Sequence, residues 1–486
     1  MTTTASLDKH LFINNEWRPA GSGKTMEVVN PATEEVCASV ASADSGDLDA
    51  AVDAARAAFV GPWATMSARE RGRLVRRMGE RLMEKADEIS RLETLHNGKP
   101  INESRHVEIP AAAECFEYFG GWSDKLMGET IPVKGNHLTY TLREPLGVCA
   151  AIVPWNFPLL IAVWKIAPAL ATGNTIIVKP ASQTPLTALA LGDIAVDVGL
   201  PPGVFNVLTG PGAKLGQAIV EHPGIDKIAF TGDTSTGKGI MRGAADTLKK
   251  ITLELGGKSP NIVLPDADIE AAVRGATIGI FYGKGEVCAA GSRLLVDKSI
   301  KDEFIDKLAA RTKKMVAGDP MDPKTRFGAL SSKKQMETVL RYIESGRKEG
   351  ATLVAGGERI DIGTGRGYFV QPTVFADVQP EMTISREEIF GPVLAAIEFA
   401  DLDEAIARAN DTPYGLAAGV WTRDIKKAHY VASKLKAGTV WINTYNVYDT
   451  AAPFGGYKAS GFGREMSAHA LEHYTQIKSV WVDLNM

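Results

Sequence analysis

Short apolar runs alternate with helical patterns along the chain from Gly147 onward. Such alternation is typical of parallel βαβ units and not of a β-sandwich. The first series of predicted strands covers residues 148–153, 175–179, 204–208, 227–230 and 250–255. The helices predicted between them cover residues 159–171 and begin near residues 184, 212 and 234. Together these elements indicate a doubly wound sheet, an architecture that binds dinucleotides.

One helix boundary carries three agreeing signals. Thr184 is a typical N-cap residue, Pro185 suits the first helical position, and Gly199 suits the position after the last turn. The sequence therefore predicts a helix that begins at Pro185, is capped by Thr184 and ends at Gly199.

A second α/β series follows the first. Its predicted strands cover residues 261–264, 293–296, 393–399 and 438–442. Two further segments, 136–143 and 477–482, are also strand-like, and the first of them alternates polar and apolar residues with a period of two. Isolated β-ribbons need a partner sheet. We therefore expect these two segments to pair across the subunits of an oligomer.

Composition limits the class of protein. The chain has 486 residues, is 45% hydrophobic and 23% charged, and carries a formal net charge of −4. This size suggests two or three domains. Without a run of Lys and Arg there is no electrostatic basis for binding nucleic acid or an anionic membrane surface. The longest apolar run, 147–170, is interrupted by prolines, Asn156 and Lys165, so we do not expect it to span a membrane.

The N-terminal segment and the cysteines favour a cytoplasmic location. The first residues carry Asp8 and Glu16 and lack the basic start and apolar stretch of a signal or transit peptide. The four cysteines, at irregular spacings, match neither a disulfide framework nor the paired spacing of a zinc site. We expect no disulfide, no metal and a small neutral ligand.

A lone cysteine marks the first candidate site. Cys288 lies in FYGKGEVCAAGSR, among glycines and alanines between a helical pattern and a strand. In such a segment the backbone can come close to a ligand, which suits a nucleophile. A single cysteine is more often a buried structural residue, so this interpretation depends on the other motifs.

Two polar residues follow predicted strands of the first sheet. Glu254 ends a strand in LELGGKSP, and Asn156 follows another strand in PWNFP. Ligands of doubly wound sheets bind at the carboxyl ends of the strands. A glutamate there suits a general base, and an uncharged amide suits an oxyanion. Taken singly, a solvated or ion-paired glutamate and an Asx-turn asparagine are commoner.

Two strand-to-helix junctions indicate the ligand. VKPASQTP contains Lys179 and Ser182, which suit a ribose or its phosphate. FTGDTSTG places a glycine turn before a helix, where a pyrophosphate is favoured. The segments EEIFGP and PFGGYK read separately as loops with a packed aromatic residue.

Six motifs taken together resemble one family. PWNFP, FTGDTSTG, LELGGKSP, EVCAAGSR, EEIFGP and PFGGYKASGFGRE closely resemble the motifs of the aldehyde dehydrogenase superfamily, in order and at familiar separations. The resemblance spans almost the whole chain, from LFINNEW to YTQIKSVWV. The segment INTYNVYDTAAPFGGYKASGFGRE is most similar to the broad-specificity branch, which includes retinal-type and mitochondrial-type enzymes.

The resemblance implies an α/β fold with three parts. Residues 1–122 and 146–256 would form a Rossmann-like dinucleotide-binding domain, and residues 257–457 an α/β catalytic domain. Residues 123–145 and 458–486 would form a small β oligomerisation extension. We expect a homo-oligomer, with a tetramer favoured over a dimer.

The resemblance also implies the chemistry. Cys288 would be the nucleophile, Asn156 and the backbone N–H of Cys288 the oxyanion donors, and Glu254 the base. An aldehyde would then be oxidised to the carboxylic acid through a thiohemiacetal and a thioester, with NAD or NADP as the hydride acceptor. Lys165 would lie near a proton path beside Glu254.

The cofactor residues that the resemblance implies run from the adenine ribose to the nicotinamide. They are Lys179, Ser182, Gly212, Gly232, Asp233, Glu388 and Phe390, with Ile152, Pro154, Trp155 and Leu255 along the same cleft.

Two of these residues depart from the family pattern. Ser182 stands where strict NAD enzymes usually carry a glutamate, which repels a 2′-phosphate. We therefore expect both NADP and NAD to be accepted. Asp233 stands where serine is common, and an acid beside a pyrophosphate is unfavourable unless it points away or caps the following helix.

The implied substrate tunnel is mostly apolar and aromatic. Its residues are Phe157, Leu160, Trp164, Val287, Ala289, Tyr448 and Phe454. This wall suits medium-chain aliphatic or aromatic aldehydes. Trp164 stands where succinic semialdehyde enzymes tend to carry an arginine, which argues against that substrate. A betaine aldehyde or aminoaldehyde is the alternative, since Phe157, Trp164 and Tyr448 form a partial cage for an ammonium group.

The motifs argue against two other activities. Enzymes that pass the acyl group to coenzyme A lack the base, so Glu254 argues against that reaction. A catalytically silent structural member of the family is free to lose Cys288, Glu254 or Asn156, and all three are present.

Overall fold

The computed structural model describes residues 7–485, which form an α/β protein with four β-sheets. The strands are β1 Leu7–Lys9, β2 Leu11–Ile13, β3 Glu16–Arg18, β4 Thr25–Asn30, β5 Glu35–Ala41, β6 Thr130–Ile131, β7 His137–Pro145, β8 Val148–Ile152, β9 Thr175–Lys179, β10 Phe205–Val207, β11 Lys227–Thr231, β12 Lys250–Glu254, β13 Pro260–Val263, β14 Arg293–Asp297, β15 Thr352–Ala355, β16 Thr373–Ala376, β17 Val393–Phe399, β18 Ala417–Trp421, β19 Thr439–Ile442, β20 Gly461–Phe462 and β21 Thr475–Asp483.

Helices cover the faces of the two large sheets. They are α1 Ser45–Val60, α2 Pro62–Thr65, α3 Ala68–Glu84, α4 Ala86–Asn97, α5 Ile101–Glu103, α6 Ile109–Trp122, α7 Pro158–Ala171, α8 Leu186–Val198, α9 Gly212–Glu221, α10 Thr234–Ala244, α11 Ile269–Phe281, α12 Lys301–Thr312, α13 Lys333–Lys348, α14 Thr383–Arg386, α15 Leu402–Asn410, α16 Ile425–Lys434 and α17 Ser467–Leu471. A π-helical turn, Ser104–Glu108, joins α5 to α6.

The first large sheet has the strand order β20-β12-β11-β8-β9-β10-β2-β3. Its five central strands are parallel, which confirms the predicted doubly wound pattern. β8 lies between β9 and β11, so the strand order reverses at β8. In open α/β sheets a ligand crevice opens beyond the carboxyl ends of the strands at this reversal.

The predicted cap of α8 is wrong. The helix begins at Leu186, and Pro185 occupies the position before it without a side-chain hydrogen bond. The Thr184 hydroxyl is buried and has no hydrogen-bond partner among the described residues. Instead the backbone N–H of Leu186 donates to Nδ1 of His96 at 3.2 Å. A hydrogen bond to His96, a residue distant in the sequence, thus replaces the predicted one to Thr184. Gly199 follows the last turn of the helix in the left-handed conformation, as predicted.

The second large sheet has the order β15-β16-β17-β14-β13-β18-β19. All neighbouring strands in it are parallel except the β15–β16 pair at one edge. The predicted second α/β series is therefore confirmed. A separate three-stranded sheet near the N-terminus has the order β1-β5-β4.

The two predicted ribbons pair with each other. β7 and β21 form an antiparallel pair from His137 opposite Asp483 to Pro145 opposite Thr475, and β6 lies on the other side of β7. Within the described chain each ribbon therefore already has a partner, and pairing across subunits stays a prediction for the outer edge of β21. Ile477 and Trp481 on that strand are 66% and 59% exposed.

The C-terminal segment does not lie wholly in this ribbon. β20 pairs antiparallel with β12 of the first large sheet, and Leu471 and Tyr474 pack in the core beneath α7. Part of the segment 458–486, which was predicted to form the oligomerisation extension, therefore completes the first domain. The other predicted domain boundaries stay predictions.

None of the helices within residues 7–485 is long and apolar enough to cross a membrane. The range also contains no group of three or more His, Cys, Asp or Glu side chains that could hold a metal ion.

Candidate active site

Cys288, Glu254 and Asn156 line one cavity of about 360 Å³. They come from three elements: the loop after α11, the end of β12 and the turn after β8. Glu388 and Phe390, from the loop after α14, line the same cavity. The structure therefore brings together three residues that lie as much as 132 positions apart in the sequence.

Asn156 is buried, and its side-chain amide is held from one side. Nδ2 donates one hydrogen bond to the backbone carbonyl of Glu286 at 2.9 Å. A primary amide carries two N–H bonds, so the second remains for a ligand in the cavity. Glu286 lies two residues before Cys288, so this bond also sets Asn156 against the cysteine loop.

Glu254 ends β12 and is buried at the cavity wall. Neither of its carboxylate oxygens has a hydrogen-bond partner among the described residues. Burial raises the pKa of Glu254 well above its usual value, and the nearby charge of Glu465 adds to the rise. A buried carboxyl group without partners and with a raised pKa is suited to taking up a proton near neutral pH.

Cys288 is half-buried at the end of a tight loop. Burial raises the pKa of its thiol to about 12, and the carboxyl groups of Glu254 and Glu388 contribute to the rise. The backbone N–H groups of Cys288 and Ala289 act in the opposite direction. The resting side chain is therefore a protonated thiol, and its proton must leave when the sulfur reacts.

The glycines of LELGG make room for the other residues of the site. A Cβ atom on Gly256 would lie 2.1 Å from Oε2 of Glu388, and one on Gly257 would lie 2.5 Å from the backbone oxygen of Cys288. The backbone N–H of Gly257 also donates to Oε1 of Glu388 at 2.8 Å. The motif thus holds Glu388 and the cysteine loop against the end of β12.

Lys165 lies behind Glu254 but does not bind it. Its Nζ donates to Oγ1 of Thr231 and to Oε1 of Glu465, each at 2.8 Å. Its charge lowers the pKa of Glu254, opposing the effect of Glu465. Glu465, which sequence reasoning missed, is therefore the ion-pair partner of the predicted lysine and acts on the predicted base through its charge. Its only signal was its place in the motif GFGRE.

A second cavity, of about 570 Å³, continues the first. The two share Pro154, Trp155, Thr231, Gly232 and Asp233, so they form one cleft at the carboxyl ends of β8 and β11. The predicted cofactor residues that line only the second cavity are Ile152, Lys179, Ser182 and Gly212. The predicted cofactor residues that line only the first are Leu255, Glu388 and Phe390.

Lys179 and Ser182 lie side by side on the wall of the second cavity. Nζ of Lys179 donates to the carbonyl of Pro180 at 3.0 Å, and burial lowers the pKa of this lysine to about 8. The Ser182 hydroxyl donates to the carbonyl of Gly210 at 3.0 Å. Its oxygen therefore keeps its acceptor capacity, but it brings no negative charge to the cleft.

Asp233 caps α10. One of its oxygens accepts from the backbone N–H groups of Ser235 and Thr236, at 2.8 and 3.1 Å. Those hydrogen bonds lower the pKa of Asp233 despite partial burial. N–H groups at the start of a helix would otherwise favour a bound anion. Because they already donate to the Asp233 carboxylate, that carboxylate takes the place of such an anion.

Aromatic side chains face each other where the two cavities meet. The rings of Trp155 and Phe390 lie edge to face, with centroids 5.1 Å apart. Phe390 has a φ of 56°, in the left-handed region that non-glycine residues seldom adopt.

Four residues of α13 also line the first cavity. Sequence reasoning missed them because a helical pattern does not show which face of the helix is turned to a distant cleft. They are Lys334, Gln335, Thr338 and Tyr342.

The predicted tunnel residues do not all reach one wall. Trp164, Phe454 and Tyr448 form a chain of ring contacts with centroids 5.6–5.7 Å apart. Phe157 packs against the same hydrophobic cluster and stacks on Tyr282. These aromatic residues belong to one packed cluster, in which Phe454 is 3% and Tyr448 40% exposed, and none of the four lines either cavity.

Three other predicted tunnel residues are placed differently. Ala289 is fully buried and so presents no surface to a substrate. Val287 lines a separate small cavity beside Ile280 and Gly391. Leu160 packs against the core of the first domain. The tunnel positions came from the family resemblance, and their contact with a substrate stays a prediction.

Comparisons with known proteins agree with this geometry. The model of the aldehyde dehydrogenase family matches residues 17–480. The human mitochondrial aldehyde dehydrogenase is 49% identical over 475 residues, which cover 97% of this chain and 91% of that protein. Human retinal dehydrogenase 2 is 48% identical over 478 residues, covering 98% of this chain and 92% of that protein.

A solved structure gives the same result. The NAD⁺ complex of aldehyde dehydrogenase from Bacillus cereus is 51% identical and superposes with a TM-score of 0.97, covering 98% of this chain and 97% of that one. The predicted resemblance is therefore confirmed: the chain belongs to the aldehyde dehydrogenase family, a family of oxidoreductases that act on aldehydes.

Proposed function

We propose that the protein oxidises an aldehyde to its carboxylic acid through a covalent intermediate on Cys288, with NAD or NADP as the hydride acceptor. One observation carries this proposal. A thiol, a carboxyl group without hydrogen-bond partners and a buried amide line a single cavity that continues into a glycine-lined cleft. This set matches a nucleophile, a base and an oxyanion donor.

The cleft fits a dinucleotide. Gly212, Gly216 and Gly239 line the second cavity, and a Cβ atom added to any of them would meet no other atom within 4 Å. Their bare backbone therefore leaves the cleft open to a bulky ligand. Lys179 and Ser182 would hold the adenine ribose, and Glu388 the nicotinamide ribose. When bound, the nicotinamide ring accepts the hydride that leaves the substrate carbon.

In the first step the sulfur of Cys288 bonds to the aldehyde carbon, and the carbonyl π electrons move to the oxygen. The thiol proton must leave, and Glu254 is the carboxyl group of the cavity with the strongly raised pKa. The second N–H of Asn156 and the backbone N–H of Cys288 donate to the new oxyanion. Loss of hydride from the same carbon then leaves a thioester.

In the second step water hydrolyses the thioester. Glu254 removes a proton from the water as its oxygen attacks the acyl carbon, the C–S bond breaks, and the sulfur takes up a proton again. Before it accepts this proton, Glu254 releases the thiol proton to solvent. The nearby charge of Lys165, which is hydrogen-bonded to Glu465, lowers the pKa of Glu254 and favours that release, the part proposed for Lys165 beside the proton path. The net products are the carboxylic acid, the reduced cofactor and one proton.

The aromatic surface supports a medium-chain aliphatic or aromatic aldehyde as the substrate. Trp164, Phe454 and Tyr448 provide ring faces in mutual contact, which favour an apolar chain. The same rings form part of a cage for a quaternary ammonium group, so betaine aldehyde is the second candidate. Hexanal, benzaldehyde and betaine aldehyde distinguish them: the first two should give the higher kcat/KM.

Ser182 supports the use of NADP. It brings no carboxylate to the adenine end, and the ammonium of Lys179 lines the same cavity. Comparing kcat/KM for the two cofactors tests this. We expect a substantial rate with NADP, and a rate more than about a thousandfold below that with NAD would contradict the proposal, since that ratio is roughly 4 kcal/mol. The matched variant Ser182→Glu should lose NADP and keep NAD.

Assembly and location also remain proposals. We propose a homo-oligomer, because β21 is an edge strand with exposed Ile477 and Trp481. We also propose that the oligomer is a tetramer and that the protein is cytoplasmic. Light scattering at micromolar concentration tests it, and a monomer would contradict it.

The proposed function is tested most simply with propanal and both cofactors. We expect the protein to form NADH or NADPH and propanoate, and the Cys288→Ala variant to form neither. Cys37→Ala is the matched control, since Cys37 is a buried thiol that lines neither cavity. A protein with no activity towards any aldehyde would instead be a silent structural member of the family.

A further inference from the structure

A cluster of buried charged side chains lies behind the cavity and takes no part in the chemistry described above. Its members come from α4, the segment that follows α4, the π-helical turn and the cysteine loop, and none of them lines the two cavities. They are Glu93, His96, Lys99, Glu108, Lys284 and Glu286, each at most 2% exposed. Charged groups buried this deeply are rare unless each is paired.

Lys99 joins this cluster to Asn156. Its Nζ donates to both oxygens of Glu108, at 2.7 and 2.6 Å, and to the backbone carbonyl of Asn156 at 2.8 Å. Burial acts to lower the pKa of Lys99, but the charges of Glu108 and Glu93 outweigh this effect and raise the pKa above its usual value. The lysine is therefore charged, and its bond to the Asn156 carbonyl is of the strong, charge-assisted kind.

The position of Glu108 comes from the π-helical turn Ser104–Glu108. A π-turn adds a residue to the helical path, and such turns occur frequently at functional sites. Here it sets the carboxylate of Glu108 opposite Lys99.

Lys284 joins the same cluster to the cysteine loop. Its Nζ donates to the backbone oxygen and to Oδ1 of Asn97, at 2.9 and 2.7 Å, and pairs with Glu286 at 2.9 Å. Asn97 in turn donates to the carbonyl of Trp155 at 2.7 Å. Lys284 thus connects the loop that ends at Cys288 with the turn that carries Asn156.

The backbone of this loop is held in a strained form. Gly283, Lys284 and Gly285 have φ values of 57°, 63° and 75°, a left-handed run in which Lys284 is the unfavourable member. Such a conformation persists only where its surroundings impose it. The buried contacts of Lys284 supply that constraint.

We propose that Lys99, together with Asn97 and Lys284, positions the amide of Asn156 relative to the sulfur of Cys288. The cluster binds the Asn156 turn at two backbone carbonyls, and the Glu286 carbonyl of the cysteine loop fixes one side-chain N–H. Only the other N–H then points to an oxyanion. These are positioning residues, and their assignment rests on the proposed function of Asn156.

A double-mutant cycle tests the proposal. In Lys99→Met the ammonium is lost, and we expect kcat to fall by about 100-fold, since a misplacement of 1 Å can cost that much. The KM for the cofactor should stay within about twofold, since Lys99 does not line the cleft. In the Asn156→Ala background, Lys99→Met should lower kcat no further, because the donor that it positions is already absent.

The outcomes are distinct. If the two losses in kcat multiply in the double variant, Lys99 does not act through Asn156 and the inference is wrong. If Asn156→Ala alone leaves kcat unchanged, the proposed oxyanion role fails as well. Should Lys99→Met not fold, Asn97→Ala carries the same cycle. It removes the bonds of the Asn97 side chain to Trp155 and Lys284, while Lys284 stays paired with Glu286. Lys227→Met, another fully buried lysine, is the matched control and should keep kcat while lowering the melting temperature.

Discussion

Glu388 gives the sharpest test of the proposed cofactor site. Burial raises its pKa to about 7, although the N–H of Gly257 and the charge of Lys258 oppose the rise. A carboxylate accepts two hydrogen bonds from ribose hydroxyls better than the protonated acid does. We therefore expect affinity for NAD to be present above pH 7 and to be lost as the pH falls through 7.

The magnitude follows from that pKa. If only the ionised form binds tightly, the ionised fraction falls from about nine tenths at pH 8 to about one tenth at pH 6, so the Kd for NAD should rise about tenfold. In Glu388→Gln this dependence should disappear. The Kd at pH 8 should then be about 10- to 100-fold higher, which corresponds to the free energy of one hydrogen bond to a charged group.

Equilibrium binding is the appropriate assay, because it does not involve Cys288 chemistry. Titration calorimetry with NAD between pH 5.5 and 8.5, without aldehyde, gives the Kd at each pH. Lys179→Met is the control for Lys179, whose pKa of about 8 also falls in this range. A wild-type Kd that changes by less than about twofold between pH 6 and 8, or a Glu388→Gln variant with the full pH dependence, would refute the reasoning.

Three further predictions follow from single contacts. Glu465→Gln removes a negative charge that raises the pKa of Glu254, so the acid limb of the pH profile of kcat should move to lower pH; a shift to higher pH would contradict it. Thr184→Val replaces a buried hydroxyl without a partner and should change the free energy of unfolding by about 0–1 kcal/mol in the stabilising direction, which thermal denaturation can measure. Gly257→Ala places a Cβ 2.5 Å from the backbone oxygen of Cys288 and should lower kcat by about 100-fold, whereas Gly121→Ala, with open space around it, should not.

The sequence predicted the first sheet well because its signals are local. β9 and β17 have the predicted bounds, and the other predicted strands of the two main series differ by at most one residue at either end. In the second large sheet β15, β16 and β18 were not predicted. Each strand is a short apolar run bounded by turn residues, and buried parallel strands need little else to be recognised.

The failures came where a distant contact replaced a local one. Thr184 has the residue type of a cap, but His96, 90 residues before Leu186, supplies the hydrogen bond. The sequences of β7 and β21 predict two strands but do not show which strand each of them pairs with. The structure shows that they pair with each other within the chain.

The residues of the candidate site show the same difference between local signals and contacts with distant residues. Cys288, Glu254 and Asn156 were predicted because they lie in distinctive motifs, Glu254 and Asn156 at the ends of strands and Cys288 between a helix and a strand. Glu465 and Lys99 were missed, since their roles depend on ion pairs with Lys165 and Glu108 and not on any motif of their own. A residue that acts through another leaves no local pattern for sequence reasoning to detect.

The central claim is that Cys288 carries the acyl group. In Glu254→Gln both the acceptor of the thiol proton and the base for thioester hydrolysis are lost. On long incubation at alkaline pH the thiol proton can still leave to solvent, so the acyl-enzyme should form slowly and then accumulate when the variant is mixed with NAD and hexanal. Mass spectrometry of the intact protein, followed by peptide mapping, should find one hexanoyl group on the peptide that contains Cys288, and none in a Glu254→Gln, Cys288→Ala double variant. An acyl group on Cys37, Cys115 or Cys149, or no adduct while acid is still formed, would contradict the account.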